Sequence, residues 1–278
     1  MPLLKKWKKI KNYINKNLYK MNKVHFVTFG CDNAFKYSRE RLVNEAMDSG
    51  WFDTVFTYEP NQLLNYNKSF EGRGAGYWWW KPVVQSLVMN QIDDGDFLLY
   101  LDAGFYINKY AKNIFDEYID IVNKNAGFLA LNCFSSTEKH WTKRDLFKLL
   151  NCDSAYYTDS PQIASGLVIY KKNELSIKFL QEYESVCSIN HAVNDHPSYN
   201  KNYEGFIEHR HDQSVFGLLV KKIYKNEDIS LIDYYQQYAD ETDFVKKWMM
   251  DDSIEGIQNL KHPFLAARLY DTNLKIKI

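Results

Sequence analysis

Two acidic residues stand at positions where an α/β protein can place chemistry. Asp102 directly follows the apolar run FLLYL (97–101), and Asp212 lies within the segment HRHDQS (209–214). In an open parallel sheet, ligands bind beyond the carboxyl ends of the strands, where a bound cation or a sugar hydroxyl offsets the cost of burying a carboxylate. A purely structural role is also open, because Asp102 could cap a turn and Asp212 could cap the helix that follows it.

The block RGAGYWWWKP (73–82) combines glycines, cations and aromatic residues. Glycines allow a ligand to approach the backbone closely, Arg73 offers a bidentate fork for phosphate, and the four aromatics 77–80 supply flat surfaces for a base or sugar ring. Lys81, at a predicted helix N-terminus, adds positive charge where the helix dipole already favours anions. The pattern indicates a polyanionic ligand that carries a ring, with an aromatic-rich packed loop as the alternative. Neither a Walker loop nor a G-x-G-x-x-G fingerprint is present.

The segment 209–214 gathers ionisable side chains just before a predicted helix. Such a concentration makes a poor core segment and a good rim for a polar cleft. His209 and His211 alternate, so they would point the same way on an extended chain. A zinc pair is conceivable there, but partner ligands with a recognisable spacing are missing.

The elements that must position these residues alternate between strand and helix after Lys23. The run 97–101 is continuously apolar, which is typical of a central strand buried on both faces. No linker and no repeat of 20 to 50 residues divides the chain. The pattern predicts one α/β domain with a mostly parallel central sheet flanked by helices. The predicted strands are 24–29, 54–58, 97–101, 128–131, 162–170 and 229–234, and the predicted helices are 38–48, 81–91, 114–122, 142–150, 175–186 and 212–222, with an irregular or helical tail to residue 278.

Composition excludes several classes of protein. Of 278 residues, 45% are apolar and 25% are charged, with 35 basic against 35 acidic groups, which rules out a disordered chain, a collagen-like repeat and a membrane bundle. No apolar run approaches the ~18 residues that a spanning helix needs. The four cysteines show no C-x-x-C spacing, which predicts a reduced, intracellular setting.

The N-terminal segment 1–22 carries a separate pattern. Eight lysines precede the first acidic residue, Asp32, so the rest of the chain has 27 basic against 35 acidic groups. Apolar residues at steps of three and four predict a basic amphipathic helix. It could lie on an anionic membrane surface, pack on the domain or bind nucleic acid. Trp7 and the absence of arginine favour the membrane, and the acidic remainder would repel nucleic acid. A cleaved signal peptide is not indicated.

Five blocks, taken in order, resemble nucleotide-sugar-dependent glycosyltransferases of the GT-A fold, of the bacterial and viral type that assembles surface glycans. The resemblance covers about 24–219 and leaves the basic helix outside it. It implies a single GT-A-like domain over 23–278 that transfers a hexose from a nucleotide-diphosphate sugar to a hydroxyl of a polysaccharide or lipid-linked acceptor. With its basic helix on an anionic leaflet, such an enzyme would be cytoplasmic and peripheral at the inner face of the membrane. The blocks are TFG (28–30), RGAGYWWWKP (73–82), LLYLDAG (98–104), SGLVIYKK (165–172) and HRHDQS (209–214).

The resemblance also implies roles for individual residues. Asp102 and Asp212 would be catalytic, and Trp141 and His211 would contact the acceptor. The residues that would bind the donor are Thr28, Phe29, Gly30, Asp32, Arg73, Tyr77, Lys81, Asp102, Ala103, Gly104, Ser165, Gly166 and Gln213.

The metal-binding D-x-D element of such enzymes is incomplete in this chain. Asp102 matches its first acid, but Gly104 stands where the residue that most directly ligates the ion is expected. Either Asp102 holds Mn²⁺ or Mg²⁺ through the diphosphate and waters, with His262, or Arg73 and Lys81 neutralise the leaving group without a metal. The same departure supports an alternative function, a catalytically inactive carbohydrate-binding or scaffold protein on a degenerate glycosyltransferase fold.

Overall fold

The computed structural model describes residues 22–31, 34–251 and 253–266. The predicted basic helix, apart from its last residue Asn22, lies outside these ranges, and so does Asp32. The membrane surface predicted for that helix therefore stays a prediction. Within the described ranges, no helix combines the length and the apolar character that crossing a membrane requires.

A six-stranded sheet organises the chain, with strand order β2-β1-β3-β6-β5-β7. β6 runs antiparallel to both of its neighbours, and every other pair in this sheet is parallel. A small antiparallel sheet joins β4 to β8. The predicted mostly parallel α/β architecture is confirmed. The strands are β1 (Val24–Phe29), β2 (Thr54–Tyr58), β3 (Phe97–Leu101), β4 (Tyr106–Ile107), β5 (Phe128–Thr137), β6 (Pro161–Lys171), β7 (Ser230–Asp233) and β8 (Phe264–Leu265).

Helices cover both faces of the large sheet. The longer ones are α1 (Ala34–Ser49), α2 (Trp80–Met89), α3 (Lys112–Lys124), α4 (Arg144–Leu149), α5 (Glu174–Cys187), α6 (Asp212–Ile223) and α7 (Tyr234–Met250). Single turns of α-helix occur at Gly74–Tyr77, Glu138–Trp141, Ala155–Thr158 and Asn190–Val193, and 3-10 turns at Pro60–Tyr66 and Ile257–Asn259. The sequence predicted an irregular or helical tail, and the structure shows that this part of the chain contains α7 and β8.

β3 connects the two halves of the core because its side chains alternate between the faces of the sheet. Leu98 and Tyr100 pack with α2, α5 and α6 on one face. Phe97, Leu99 and Leu101 pack with α1 and α3 on the other. All five are buried, as the continuously apolar run predicts. Asp102 is the next residue, so its position at the end of β3 is fixed by the packing of this strand on both faces of the sheet.

Candidate active site

A cavity of about 370 Å³ opens at the carboxyl ends of the neighbouring strands β1 and β3. Several residues that the sequence assigned to the donor form its wall, namely Phe29, Gly30, Asp102, Ala103, Gly104, Gly166 and Gln213. Asp102 and Arg210 are the charged side chains among the described residues of the wall. Thr28 lies behind it, fully buried, where its Oγ1 donates to the Leu101 carbonyl at 2.8 Å and ties β1 to β3.

Aromatic rings form one side of the cavity. The Phe29 and Trp80 rings stack with centroids 3.8 Å apart, and the Trp80 Nε1 donates to the Gly74 carbonyl at 2.9 Å. A side chain at Gly74 would collide with the Trp78 ring at 2.1 Å, and its φ of +57° is one that glycine adopts without strain. The glycines and aromatics of the 73–82 block thus act together to shape the wall.

Backbone strain is concentrated beside the cavity. Ala75, Tyr77, Trp78 and His211 all have φ between +52° and +61° without being glycine. These residues come from two blocks distant in sequence, and they touch, because the His211 ring lies 5.3 Å from that of Tyr77 and 5.2 Å from that of Trp78. Non-glycine residues persist in this conformation only where the surrounding structure enforces it, as it often does at functional sites.

A buried lysine joins the two carboxylates that the sequence singled out. Lys81 Nζ lies 3.1 Å from Asp102 Oδ1 and 3.0 Å from Asp212 Oδ2, and it donates to Ser165 Oγ at 3.1 Å. The N-terminus of α2, the end of β3 and the N-terminus of α6 therefore converge on one ammonium group. One cation between two carboxylates leaves this cluster with a net negative charge.

Neutral hydroxyl groups complete the cluster. Tyr100 donates to Asp102 at 2.6 Å, while Ser165 and Tyr183 donate to Asp212 at 2.7 and 3.0 Å. The possible role of Asp212 as a helix cap is wrong, because it is the first residue of α6 and His211 precedes it as the cap. Its carboxylate is instead fully engaged in the interior.

The two carboxylates differ in their access to a ligand. The Asp102 side chain is 37% exposed, whereas that of Asp212 is 5% exposed. Asp102 can touch a molecule in the cavity directly. The structure connects Asp212 to the cavity through Lys81 and Ser165, so its predicted catalytic role would be exerted through these neighbours.

The lysine and the two tyrosines of the cluster are each held in one protonation state. Burial acts to lower the pKa of Lys81, but the charges of Asp102 and Asp212 and their hydrogen bonds outweigh it, so the pKa is raised. Burial, followed by the adjacent carboxylates, raises the pKa of Tyr100 and of Tyr183. Lysine therefore stays charged and both tyrosines stay protonated at neutral pH.

Two arginines flank the cavity. The Arg210 guanidinium lies 4.2 Å from the centre of the Trp141 ring and 3.3 Å from Glu208. Arg73 also reaches Glu208, at 3.5 Å, and approaches Asp195 at 3.9 Å. Arg73 is therefore at the margin, next to the wall residue Gly74, and Trp141 supports Arg210. Sequence reasoning did not single out Arg210, although it recognised the HRHDQS segment that contains it.

The histidines of that segment are not part of a polar rim. His209 Nε2 pairs with the Ala192 carbonyl at 2.8 Å, and His211 Nδ1 pairs with the Val193 carbonyl at 2.7 Å. Burial lowers the pKa of His209 to about 3 and also lowers that of His211. Arg210 and Gln213 line the cavity, as expected of a polar rim. The expectation is wrong for both histidines, which are buried, uncharged and paired with backbone carbonyl groups.

The described residues do not fit a protein-held divalent ion. Such an ion takes several oxygen ligands, but Gly104 offers no side chain and the Asp102 carboxylate already binds Lys81 and Tyr100. His262 lies outside the cavity wall, with its peptide groups bonded to Asn108 and Glu241. Across the described ranges, no group of three or more histidine, cysteine, aspartate or glutamate residues could hold a metal.

Comparisons with known proteins give distant structural similarities only. No protein-family profile matches its sequence, and no curated protein matches it. Similar solved structures include a glycosyltransferase involved in the glycosylation of the major capsid of PBCV-1, with a TM-score of 0.43 and 10% identity over 78% of this chain and 84% of that one. Mouse xyloside xylosyltransferase 1 in its apo form has a TM-score of 0.42 and 10% identity over 91% and 99%.

The bifunctional IspDF of Campylobacter jejuni gives a TM-score of 0.37 and 12% identity over 76% of this chain and 50% of that one. Similarities of this size carry no conclusion about function, which must be inferred from the residues of the site. Fold and site together define an α/β protein with a cavity at the carboxyl edge of its sheet.

Proposed function

We propose that this protein is a glycosyltransferase that moves a hexose from a nucleotide-diphosphate sugar to a hydroxyl group of a glycan. One observation carries the proposal: a single cavity presents a carboxylate, Asp102, a guanidinium, Arg210, and aromatic rings. Glycosyl transfer separates an anionic diphosphate from a sugar that gains positive charge at its anomeric carbon. A site that offers opposite charges at two places stabilises this separation.

The charges indicate how the donor lies. The Lys81 cluster is net negative, so it favours the sugar carbon and disfavours the diphosphate. Arg210, in the cavity wall, and Arg73, at its margin, are the cations available to the diphosphate, and a guanidinium matches phosphate oxygens geometrically. The aromatic rings of the wall, Phe29, Trp78 and Trp80 among them, offer apolar contacts for the base. This orientation requires no divalent ion, and the described residues do not provide a set of ligands for one.

The acceptor belongs to the same proposal. A polysaccharide or lipid-linked glycan would approach over Trp141 and the mouth of the cavity. The basic segment 1–22, on an anionic leaflet, would keep the protein at the inner face of the membrane, where such acceptors are found.

Binding of nucleoside diphosphates tests the proposal. We expect UDP or GDP at ~100 times its Kd to stabilise the folded state by about 2.7 kcal/mol and to raise the unfolding midpoint by several degrees. Arg210→Met should weaken this shift, whereas Lys139→Met, which removes an exposed cation paired with Asp159, should not. The screen is run with and without Mn²⁺. Absence of a shift with every nucleotide and nucleotide sugar would refute the assignment.

Release of free nucleoside diphosphate from UDP-glucose, UDP-galactose and GDP-mannose separates an enzyme from a binding protein. The enzyme releases it, and an inactive carbohydrate-binding or scaffold protein, the alternative that Gly104 favours, binds without release.

The position of Asp102 gives a second prediction. A Cβ at Gly166 would lie 2.8 Å from Asp102 Oδ2 and 3.2 Å from the Phe105 ring. Gly166→Ala must therefore displace the carboxylate, and we expect kcat/KM for the nucleotide sugar to fall about tenfold to a hundredfold, because misplacing a catalytic group by ~1 Å has effects of this size. The unfolding midpoint, measured in parallel, should change little because the Asp102 side chain can move aside. Unchanged kcat/KM would mean that the carboxylate position is not critical.

A further inference from the structure

Another buried carboxylate, Glu138, lies behind the cavity and has no part in the Lys81 cluster. It is fully buried at the start of the Glu138–Trp141 turn. Lys221 Nζ binds its Oε1 at 2.6 Å, and Thr142 Oγ1 donates to its Oε2 at 2.8 Å. The acid is therefore a charged, fixed group, although it never reaches the cavity itself.

Two glutamines connect Glu138 to the cavity. Gln162 Nε2 donates to Glu138 Oε2 at 3.1 Å, and Gln213 Nε2 donates to Gln162 Oε1 at 2.9 Å. Both glutamines belong to the wall. The residues come from three elements, since Glu138 follows β5, Gln162 is in β6 and Gln213 is in α6. We call Glu138, Gln162 and Gln213 the amide relay.

The relay has only one possible polarity. A carboxylate accepts hydrogen bonds and cannot donate them. Gln162 must therefore turn its NH₂ group to Glu138 and its carbonyl to Gln213. Gln213 must in turn present its NH₂ group to Gln162, which leaves Oε1 as the atom that remains for a ligand. An amide has nearly the same shape in its two orientations, so the hydrogen-bond partners decide between them.

We propose that Glu138 is a positioning residue that holds the Gln213 carbonyl as a hydrogen-bond acceptor in the cavity, where it selects a hydroxyl group of the sugar. The identity of that hydroxyl as part of a sugar rests on the proposed function, whereas the polarity of the relay does not. Close packing supports a dedicated arrangement. A Cβ at Gly217, on α6, would lie 2.5 Å from Glu138 Oε1, so only glycine lets the helix approach this acid.

Glu138→Gln should invert the relay. The Lys221 ammonium only donates, so it keeps the new amide's oxygen, and the new NH₂ group faces Gln162. Gln162 and then Gln213 must rotate, and the cavity receives a donor in place of an acceptor. A sugar hydroxyl then loses its acceptor, and we expect kcat/KM to fall by about tenfold to a hundredfold.

A compensating variant tests polarity against simple damage. In Glu138→Gln combined with Gln162→Glu, the amide at 138 donates to the carboxylate at 162, which again accepts from Gln213 Nε2. Total charge is unchanged and the acceptor returns to the cavity, so activity should recover to within about threefold of the original. Thr142→Val is the matched control, because it removes a hydroxyl that donates to the same carboxylate and accepts from Gln162 Nε2 at 3.4 Å, without changing the polarity of the relay. It should lower kcat/KM much less than Glu138→Gln does.

A measurement without any ligand keeps the relay separate from the reaction. With ¹⁵N-labelled glutamine, NMR follows hydrogen exchange of the Gln213 side-chain NH₂, which is bonded to Gln162 in the original protein. Exchange should speed up about tenfold or more in Glu138→Gln and return to its original rate in the double variant. Gln162→Met, which breaks the relay without introducing a charge, should also speed up exchange of the Gln213 NH₂ group. This variant replaces Glu138→Gln in the test if Glu138→Gln does not fold.

Equal exchange in all variants, or a double variant no more active than Glu138→Gln, overturns the proposal. Activity is assayed on UDP-glucose, UDP-galactose and GDP-mannose. If the unmodified protein turns over none of them, the proposed function has failed, and the exchange rates still decide the relay.

Discussion

Asp102→Asn is expected to lower kcat/KM for the nucleotide sugar by about 10²- to 10³-fold without unfolding the protein. Asp102 is the carboxylate exposed to the cavity, and an amide of the same shape cannot supply the charge that stabilises a developing positive sugar carbon. The fold should persist because Lys81 retains Asp212 as a partner, and Tyr100 can still donate to the amide oxygen. Steady-state kinetics and the unfolding midpoint together measure both effects.

The matched control is Asp159→Asn. Asp159 also binds a lysine, Lys139 at 2.8 Å, but the pair lies on the surface. Its kcat/KM should be unchanged. An Asp102→Asn protein with full activity would show that this carboxylate takes no part in transfer, whatever the cavity binds.

The outline of the fold could be predicted because it depends on local patterns. β3 is a continuous apolar strand that ends in an acid, and this alone places Asp102 at the carboxyl edge of the sheet. The order of the strands and the reversal of β6 are not local, because they depend on which strands pair across distant stretches of chain. The short strand β8 escaped prediction for the same reason, since it exists through its pairing with β4.

The environment of Lys81 shows where sequence reasoning ends. At the start of a predicted helix, a lysine is expected to face anions from solution. The structure instead buries it between carboxylates located 21 and 131 positions further along the chain. Arg210 and Glu138 were missed for a related reason, because their partners lie on other elements and no periodicity in the sequence connects them.

Lys81→Met is expected to cost about 3–5 kcal/mol of unfolding free energy, the largest loss of stability that we predict. The side chain is buried, so methionine fills much of its volume, but Asp102 and Asp212 are left facing each other without a cation. Removing one partner of a buried ion pair typically costs this much, because an uncompensated charge remains. Denaturant unfolding monitored by tryptophan fluorescence measures the loss.

A second substitution identifies the cause. In Lys81→Met combined with Asp212→Asn, one of the two opposed charges is gone, so part of the lost stability should return and the two effects should not add. Lys139→Met removes a lysine from an exposed ion pair and should cost less than about 1 kcal/mol. If the double variant is less stable than Lys81→Met alone, carboxylate repulsion is not the source of the loss.

The pH dependence provides an independent test of the same charges. Because the folded state raises the pKa of Lys81 above its ordinary value near 10.5, its contribution to stability is complete below that pH and is lost as the pH rises through the folded pKa. Tyr100 and Tyr183 act in the same direction, so the original protein should lose stability above about pH 10. In Lys81→Met, the part of this alkaline loss that comes from the lysine should be absent, so the stability of the variant should fall less steeply above about pH 10. An equally steep fall in both proteins would show that Lys81 stabilises the fold by packing and not by its charge.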